Sequence, residues 1–166
     1  KIGSYSLSSQ DKNFLGGAIW GGVALDKQNG IVFANTGNPQ PGTYGVHRPG
    51  NNKFSCSVIA FDLNSKKILW TFQEIPHDLW DFDIPSPPIL HDLEIENKIY
   101  QTVISVTKTG NTLILERSSG KPIFDINYKK GPKSSLAGDY ASPFQIYLKK
   151  PERFSKIEYG IEDFNN

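Results

Sequence analysis

The stretch Val58-Ile59-Ala60-Phe61-Asp62-Leu63-Asn64-Ser65-Lys66-Lys67-Ile68-Leu69-Trp70 decides the fold. In order it gives an apolar run, an acidic residue, a polar turn, a lysine, a second apolar run and a large aromatic. Thr112-Leu113-Ile114-Leu115-Glu116-Arg117-Ser118-Ser119-Gly120-Lys121-Pro122-Ile123-Phe124 repeats that order. The offset is 54 residues, near the roughly 40–50 of a four-stranded propeller blade. An acid that opens a turn can accept from backbone N–H groups two residues on, and a closing aromatic can pack between neighbouring sheets. The expected fold class is therefore all-β, part of a β-propeller of roughly three blades.

Outward from the repeat, strands are expected over 18–25 and 31–35, joined by the turn Asp26-Lys27-Gln28-Asn29-Gly30. Further strands are expected over 57–62, 67–73, 99–106 and 112–116. Segments 36–52 and 75–88 are rich in proline and read as long loops, which in compact proteins are usually functional. After Tyr128 the alternation weakens, with Gly131-Pro132 and Ser142-Pro143 as breakers. No amphipathic helix is visible.

Charge narrows the function classes. Eighteen Lys and Arg against 17 Asp and Glu leave +1, which gives no electrostatic basis for capturing nucleic acid or an acidic membrane. No apolar run reaches the roughly 18–20 residues of a membrane span. A membrane is thus expected as a partner only through parts of a longer parent chain. With one cysteine no disulfide forms within the chain, and Cys56 reads as a small buried hydrophobe. The chain starts at Lys1 and has no Met, and three open blades would leave edges uncovered. Residues 1–166 are accordingly read as a single-domain fragment of a propeller.

Three clusters could carry chemistry. In Gly16-Gly17-Ala18-Ile19-Trp20-Gly21-Gly22 a tryptophan lies between glycines. It either offers a flat face to a ring ligand or fills the core of a tight turn. In Asn35-Thr36-Gly37-Asn38-Pro39 the residue before proline is pushed out of the α region. Its carboxamide oxygen suits Ca²⁺, and a plain turn is the simpler reading. Pro76-His77-Asp78-Leu79-Trp80-Asp81-Phe82-Asp83 packs three carboxylates, one histidine and two large aromatics together. Such crowding can raise one carboxyl pKa or let two acids share a metal. Lys108, in Thr107-Lys108-Thr109-Gly110, would by itself read as a surface lysine.

Taken in order, Trp20-Gly21-Gly22, Thr36-Gly37-Asn38-Pro39, Arg48-Pro49-Gly50-Asn51-Asn52, Pro76 to Asp83, and Thr107-Lys108-Thr109-Gly110 resemble the pyrroloquinoline quinone (PQQ) dependent dehydrogenases. These are eight-bladed propeller quinoproteins that oxidise alcohols and sugars. The unit Ala60 to Trp70 resembles that family's tryptophan-docking repeat, with Lys66 in place of the usual glycine. The resemblance implies that Trp20 lies against the PQQ ring and that Asn38 ligates the catalytic Ca²⁺. It implies that Asp81 is the general base and touches the metal site, and that Lys108 hydrogen-bonds the quinone oxygens. Asp83 falls where some relatives supply a further metal ligand, so a lanthanide or Mg²⁺ stays open.

The reaction so implied is hydride transfer from a CH–OH carbon to C5 of PQQ, with electrons passing on to ubiquinone or a cytochrome in the periplasm. Asp81 to Pro88 and Gly138 to Gln145 resemble the glucose, quinate and shikimate branch, which points to a sugar, polyol or cyclic polyol acid. The 36–39 and 48–52 segments resemble the alcohol branch equally, leaving small primary alcohols as an alternative. A non-catalytic propeller of the outer-membrane assembly type is a third reading, and it has no use for the Trp, Asn, Asp and Lys set. His47 and His91 carry no role, and His77 is expected to shape its loop.

Overall fold

The computed structural model describes residues 15–156. Residues 1–14 and 157–166 of the expected 1–166 unit lie outside the described residues. Among the described residues all the regular structure is strand. Four strands, β2 (Val23–Asp26), β3 (Ile31–Asn35), β5 (Ser57–Asp62) and β6 (Lys67–Gln73), form an antiparallel meander. The short β1 (Leu15–Gly16) and β4 (Pro39–Gln40) pair beside it. A second meander holds β7 (Ile89–Ile95), β8 (Lys98–Val106) and β9 (Thr112–Glu116). A single bridge, Leu115 to Pro122, stands where its fourth strand would run. Proline there lacks the N–H that a full ladder would need. Finally β10 (Ile126–Lys130) pairs with β11 (Phe144–Leu148).

The repeat occupies equivalent places in both meanders, the third strand and the segment after it. Of the three turns that an acid opens, the Asp26 turn between β2 and β3 and the two of the repeat, two work as the acids suggest. Asp62 accepts from the backbone of Asn64 at 2.7 Å and of Ser65 at 3.3 Å. Asp26 accepts from Gln28 and Asn29 N–H groups, both at 3.1 Å. The longer Glu116 departs from this: its carboxylate takes the Ser119 hydroxyl, and its backbone carbonyl receives Gly120 N–H at 2.8 Å.

Three sheets share one core. Phe33, Val58 and Ala60 come from the first, Val103, Leu113 and Leu115 from the second, and Ile146 and Leu148 from the third, with Ile84 between them. Trp70, the aromatic that closes the first repeat, packs on Phe33 with ring centroids 5.8 Å apart. Its indole N–H donates to the Arg117 carbonyl at 3.0 Å, in the turn of the next sheet. Arg117 answers with its side chain, 3.8 Å from Asp26 and 3.1 Å from Asp92. Trp70 lies so close to Gly120 that a Cβ there would come within 2.4 Å of the ring. Gly120 has φ +69°, and Lys66, its counterpart in the first repeat, holds φ 58°. The turn thus needs a left-handed residue in both copies, and only the copy facing Trp70 must also lack a side chain.

Some expectations needed correction at the edges of the pattern. Residues 18–22 are irregular and only Val23–Asp26 is strand, because Gly21 sits against Pro85 O where a Cβ would be at 1.9 Å. The strands β7, β10 and β11 were not legible, since His91, Asp92 and Glu94 in β7 and Lys129 and Lys130 in β10 interrupt the apolar alternation. Much of the length of β7 and β10 is exposed, whereas β11 buries Ile146 and Leu148.

Gly120→Ala should destabilise the protein by about 2 kcal/mol or more, since it adds overpacking against Trp70 to left-handed strain. Thermal melting of the intact protein checks this, and an unchanged melting temperature would mean that the turn does not dock on Trp70.

Candidate functional site

The site grows from two chain segments that leave the first sheet and one that leaves the second. After β3, Thr36 is fully buried and fixes the exit. Its hydroxyl donates to Phe54 O at 2.7 Å and accepts from Ser57 N–H at 2.9 Å. Gly37 N–H donates to Ala18 O at 3.0 Å, and Gly17 N–H to Asn38 O at 2.9 Å, so the 36–38 segment carries the Trp20 segment beside it. A Cβ on Gly37 would lie 2.7 Å from Asp83 Oδ1 and 2.8 Å from Trp20 Nε1. Glycine is what lets the indole and the carboxylate approach the same stretch of backbone. Trp20 is 60% exposed, so its ring is open to a ligand rather than sunk in the core.

The acidic loop is built on its buried member. Asp78 is inaccessible to solvent, and its two oxygens accept Trp80 N–H at 3.0 Å and Phe82 N–H at 2.9 Å. Burial pushes its carboxyl pKa up, against the pull of those two bonds. The loop backbone is held by Arg48, also fully buried. Its guanidinium donates to Pro41 O at 2.8 Å, Gly42 O at 2.9 Å, Asp78 O at 2.5 Å and Asn52 Oδ1 at 2.6 Å. His77 wedges beneath, its Nδ1 2.7 Å from Gly50 O and its ring stacked on Tyr140 at 4.1 Å. Burial lowers the His77 pKa and keeps the ring neutral. With that frame in place Asp81 stands out at φ 63°, in a conformation that a non-glycine residue adopts only where its surroundings hold it.

Lys108 joins the segments. Its ammonium donates to Asp81 Oδ2 at 2.9 Å, to Asp81 O at 3.0 Å and to Asp83 Oδ2. The other Asp83 oxygen accepts Asn38 N–H at 2.6 Å. Asp83 is thereby engaged on both sides and buried, whereas the Asp81 side chain is 56% exposed. Burial alone would lower the Lys108 pKa, and the bonds from Asp83 and Asp81 outweigh it and hold it above 10.5. Among the described residues Asn38 Oδ1 accepts only from Gln40 Nε2, at 3.3 Å.

Trp20, Asn38, Asp81, Asp83 and Lys108, distant in sequence, therefore form one continuous patch. His47 and His91 lie apart from it: His47 meets Tyr44 edge-on at 6.0 Å, and His91 lies within β7. Cys56 is fully buried, and burial pushes its thiol pKa up, so it is inert. It sits one position before β5 with φ 45°, rather than inside a strand. One residue that the sequence did not single out is Glu74, which is wholly buried. Its Oε1 accepts from Thr107 Oγ1 at 3.0 Å, Thr109 Oγ1 at 2.7 Å and Asn111 Nδ2 at 2.7 Å. The available signal was the alternation of three donors around Lys108, which when buried demand an acceptor.

Comparison with known proteins adds the family. Residues 4–163 match the β-propeller domain of the PQQ family of glucose, ethanol and alcohol dehydrogenases. The quinoprotein glucose dehydrogenase of Escherichia coli is 30% identical over 144 residues, which cover 86% of this chain and 18% of that protein. Quinoprotein glucose dehydrogenase A of Acinetobacter calcoaceticus is 34% identical over 148 residues, 87% of this chain and 18% of its own length. The crystal structure of the quinohemoprotein alcohol dehydrogenase from Comamonas testosteroni superposes with a TM-score of 0.62 at 28% identity, covering 76% of this chain and 20% of that one. The chain thus spans about a fifth or less of the length of these relatives.

The Lys108 contacts give a signed pH dependence. Because the folded pKa is raised, their stabilisation is complete below 10.5 and is lost as pH rises through the folded value. On the alkaline side the melting temperature should fall more steeply for the wild type than for Lys108→Ala. Equal slopes would mean that the ammonium gains nothing from the two acids.

Proposed function

The chain belongs to the β-propeller family of PQQ-dependent glucose, ethanol and alcohol dehydrogenases, and from that premise we propose that the protein carrying it oxidises a CH–OH group of a sugar, polyol or cyclic polyol acid. The single observation that carries this is the contact of Lys108 Nζ with the exposed Asp81 carboxylate at 2.9 Å, on the same patch as the open face of Trp20.

The residues present suit the cofactor and its cation. The cradle at Gly37, which any Cβ would fill, leaves the Trp20 ring free for a flat aromatic partner. Asn38 Oδ1 and the exposed Asp81 carboxylate are hard oxygen donors of the kind that Ca²⁺, Mg²⁺ or a lanthanide takes, and Asp83, already engaged by Asn38 N–H and Lys108, would join them only by also sharing an oxygen with the cation. No group of three or more His, Cys, Asp or Glu side chains gathers among the described residues, so these donors would supply part of a coordination shell. When bound, PQQ supplies a quinone that accepts hydride, and the cation supplies Lewis acidity.

The chain's own residues then divide the work. Trp20 would hold the cofactor against its exposed ring and orient it. Asp81 Oδ2 is held by Lys108, which leaves its other oxygen to take the proton of the substrate hydroxyl. The Lys108 ammonium also stands ready to donate toward oxygen that gains negative charge in the reaction. Asp83 acts mainly as a strut, fixing Lys108 against the Asn38 backbone. Electrons would leave to ubiquinone or a cytochrome, with the protein in the periplasm. A small primary alcohol is the second reading, favoured by the likeness to the Comamonas testosteroni alcohol dehydrogenase structure.

Dye reduction by the intact protein with PQQ and Ca²⁺, offered glucose, quinate and ethanol in parallel, tests the reading. Activity on glucose or quinate is expected. Activity on ethanol alone would move the substrate to the second reading, and none with any of them would favour a non-catalytic propeller. Asp81→Asn should cut turnover by about a thousandfold, the middle of the range a general base contributes, while leaving PQQ binding intact. Unchanged turnover would remove Asp81 from the reaction.

A further inference from the structure

We propose that Glu74 is a positioning residue for Lys108, acting through its grip on the turn that carries the lysine. The inference rests on the reading of Lys108 given above and deepens it. Glu74 directly follows β6 in the first sheet, and its N–H donates to Cys56 O at 2.9 Å. Lys108 belongs to the turn that leaves β8 in the second sheet. The carboxylate of Glu74 spans that gap, accepting from Thr107 before the lysine and from Thr109 and Asn111 after it.

The grip falls on the part of the chain whose placement decides where the ammonium stands. The turn closes on itself through Thr107 N–H to Asn111 O at 3.1 Å and Gly110 N–H to Thr107 O at 3.0 Å. It is braced on its far side by Arg153, whose Nε donates to Asn111 Oδ1 at 3.0 Å. It is packed at Gly110, where a Cβ would lie 2.5 Å from Ser155 Oγ. Those contacts limit the turn from outside, and Glu74 is the anchor from within the core. Lys108 N–H then reaches Asp83 O at 3.3 Å, and its Nζ falls on Asp81 and Asp83.

Glu74 is an expensive way to make an ordinary turn. A wholly buried carboxylate with one oxygen unpartnered carries a desolvation cost that an apolar residue would not. Burial raises its pKa, and the Thr109, Asn111 and Thr107 bonds oppose that. Three donors converging on one oxygen specify a single arrangement of the turn, which is what a lysine paired with two separate acids requires.

The test compares the intact wild-type protein with Glu74→Leu, Glu74→Gln and Thr109→Val, without cofactor and then with PQQ and Ca²⁺. The first readout is the rate of acetylation of Lys108 by limiting acetic anhydride, followed by mass spectrometry, with exposed Lys66 as internal control. Loss of the grip frees the ammonium from its acids, so Glu74→Leu should label Lys108 at least about threefold faster with Lys66 unchanged. Glu74→Gln keeps an acceptor oxygen and should label near the wild-type rate, while Thr109→Val should fall between. The second readout is turnover, where kcat of Glu74→Leu should drop about tenfold or more with KM little changed.

A purely structural Glu74 would lower the melting temperature and leave the Lys108 labelling rate at its wild-type value, which overturns the proposal. If Glu74→Leu does not fold, equal Lys108 labelling in Thr109→Val and wild type overturns it in the same way. The labelling does not depend on the cofactor. Faster labelling without any PQQ-dependent turnover in the wild type would therefore sink the proposed function and leave the positioning role supported.

Discussion

Asp83 holds the site together. Its carboxylate is nearly sealed from water, and both its oxygens are spoken for, one by the Asn38 backbone and one by the Lys108 ammonium. Burying a carboxylate costs least when it is so satisfied. That requirement forces the loop after β3 and the turn after β8 to meet at the same point. The candidate site depends on the meeting: Trp20 is carried in by the 17–38 clips, Asn38 is presented beside the acid, and Asp81 meets the Lys108 ammonium.

The scaffold behind that point is a chain of sheet-to-sheet contacts rather than one thick core. Trp70 leans on the next sheet's turn, and Arg117 in that turn reaches back to Asp26. The two devices point in opposite directions across one interface, so neither sheet can shift without breaking both. Arg48 does for the long loops what Trp70 does for the sheets, since four carbonyl-type acceptors from three segments converge on its guanidinium. A proline-rich loop of that length stays ordered because a buried charge demands every one of those acceptors.

The sequence was most legible where local chemistry repeats. The strands 31–35, 57–62, 67–73 and 112–116 stand where the apolar alternation places them, and the Asp62 and Asp26 turns close as short acids close turns. β7 and β10 escaped because their faces are largely open to water and need no apolar alternation, and β11 because it is short and follows the breaker Ser142-Pro143. Among the candidate site residues, Trp20, Asn38, Asp81, Asp83 and Lys108 were singled out because their motifs resemble a known family, and Lys108 by itself read as a surface lysine. Glu74 and Arg48 were not singled out as partners, because their meaning lies in which distant groups point at them. A buried acceptor looks, in sequence, like any other acid at the end of a strand.

The order in which these parts can form has its own consequence. The Asp26 and Asp62 turns close over a few residues and belong to the fastest events of chain organisation. The shared core joins Phe33 to Leu148, and such far-separated pairings come late because long loops must close first. The Asp83 junction depends on those late events, since it brings together segments that different sheets deliver. Hairpins can therefore be complete while the site does not yet exist. A chain interrupted midway through synthesis would display strands and turns, and would hold nothing that could bind.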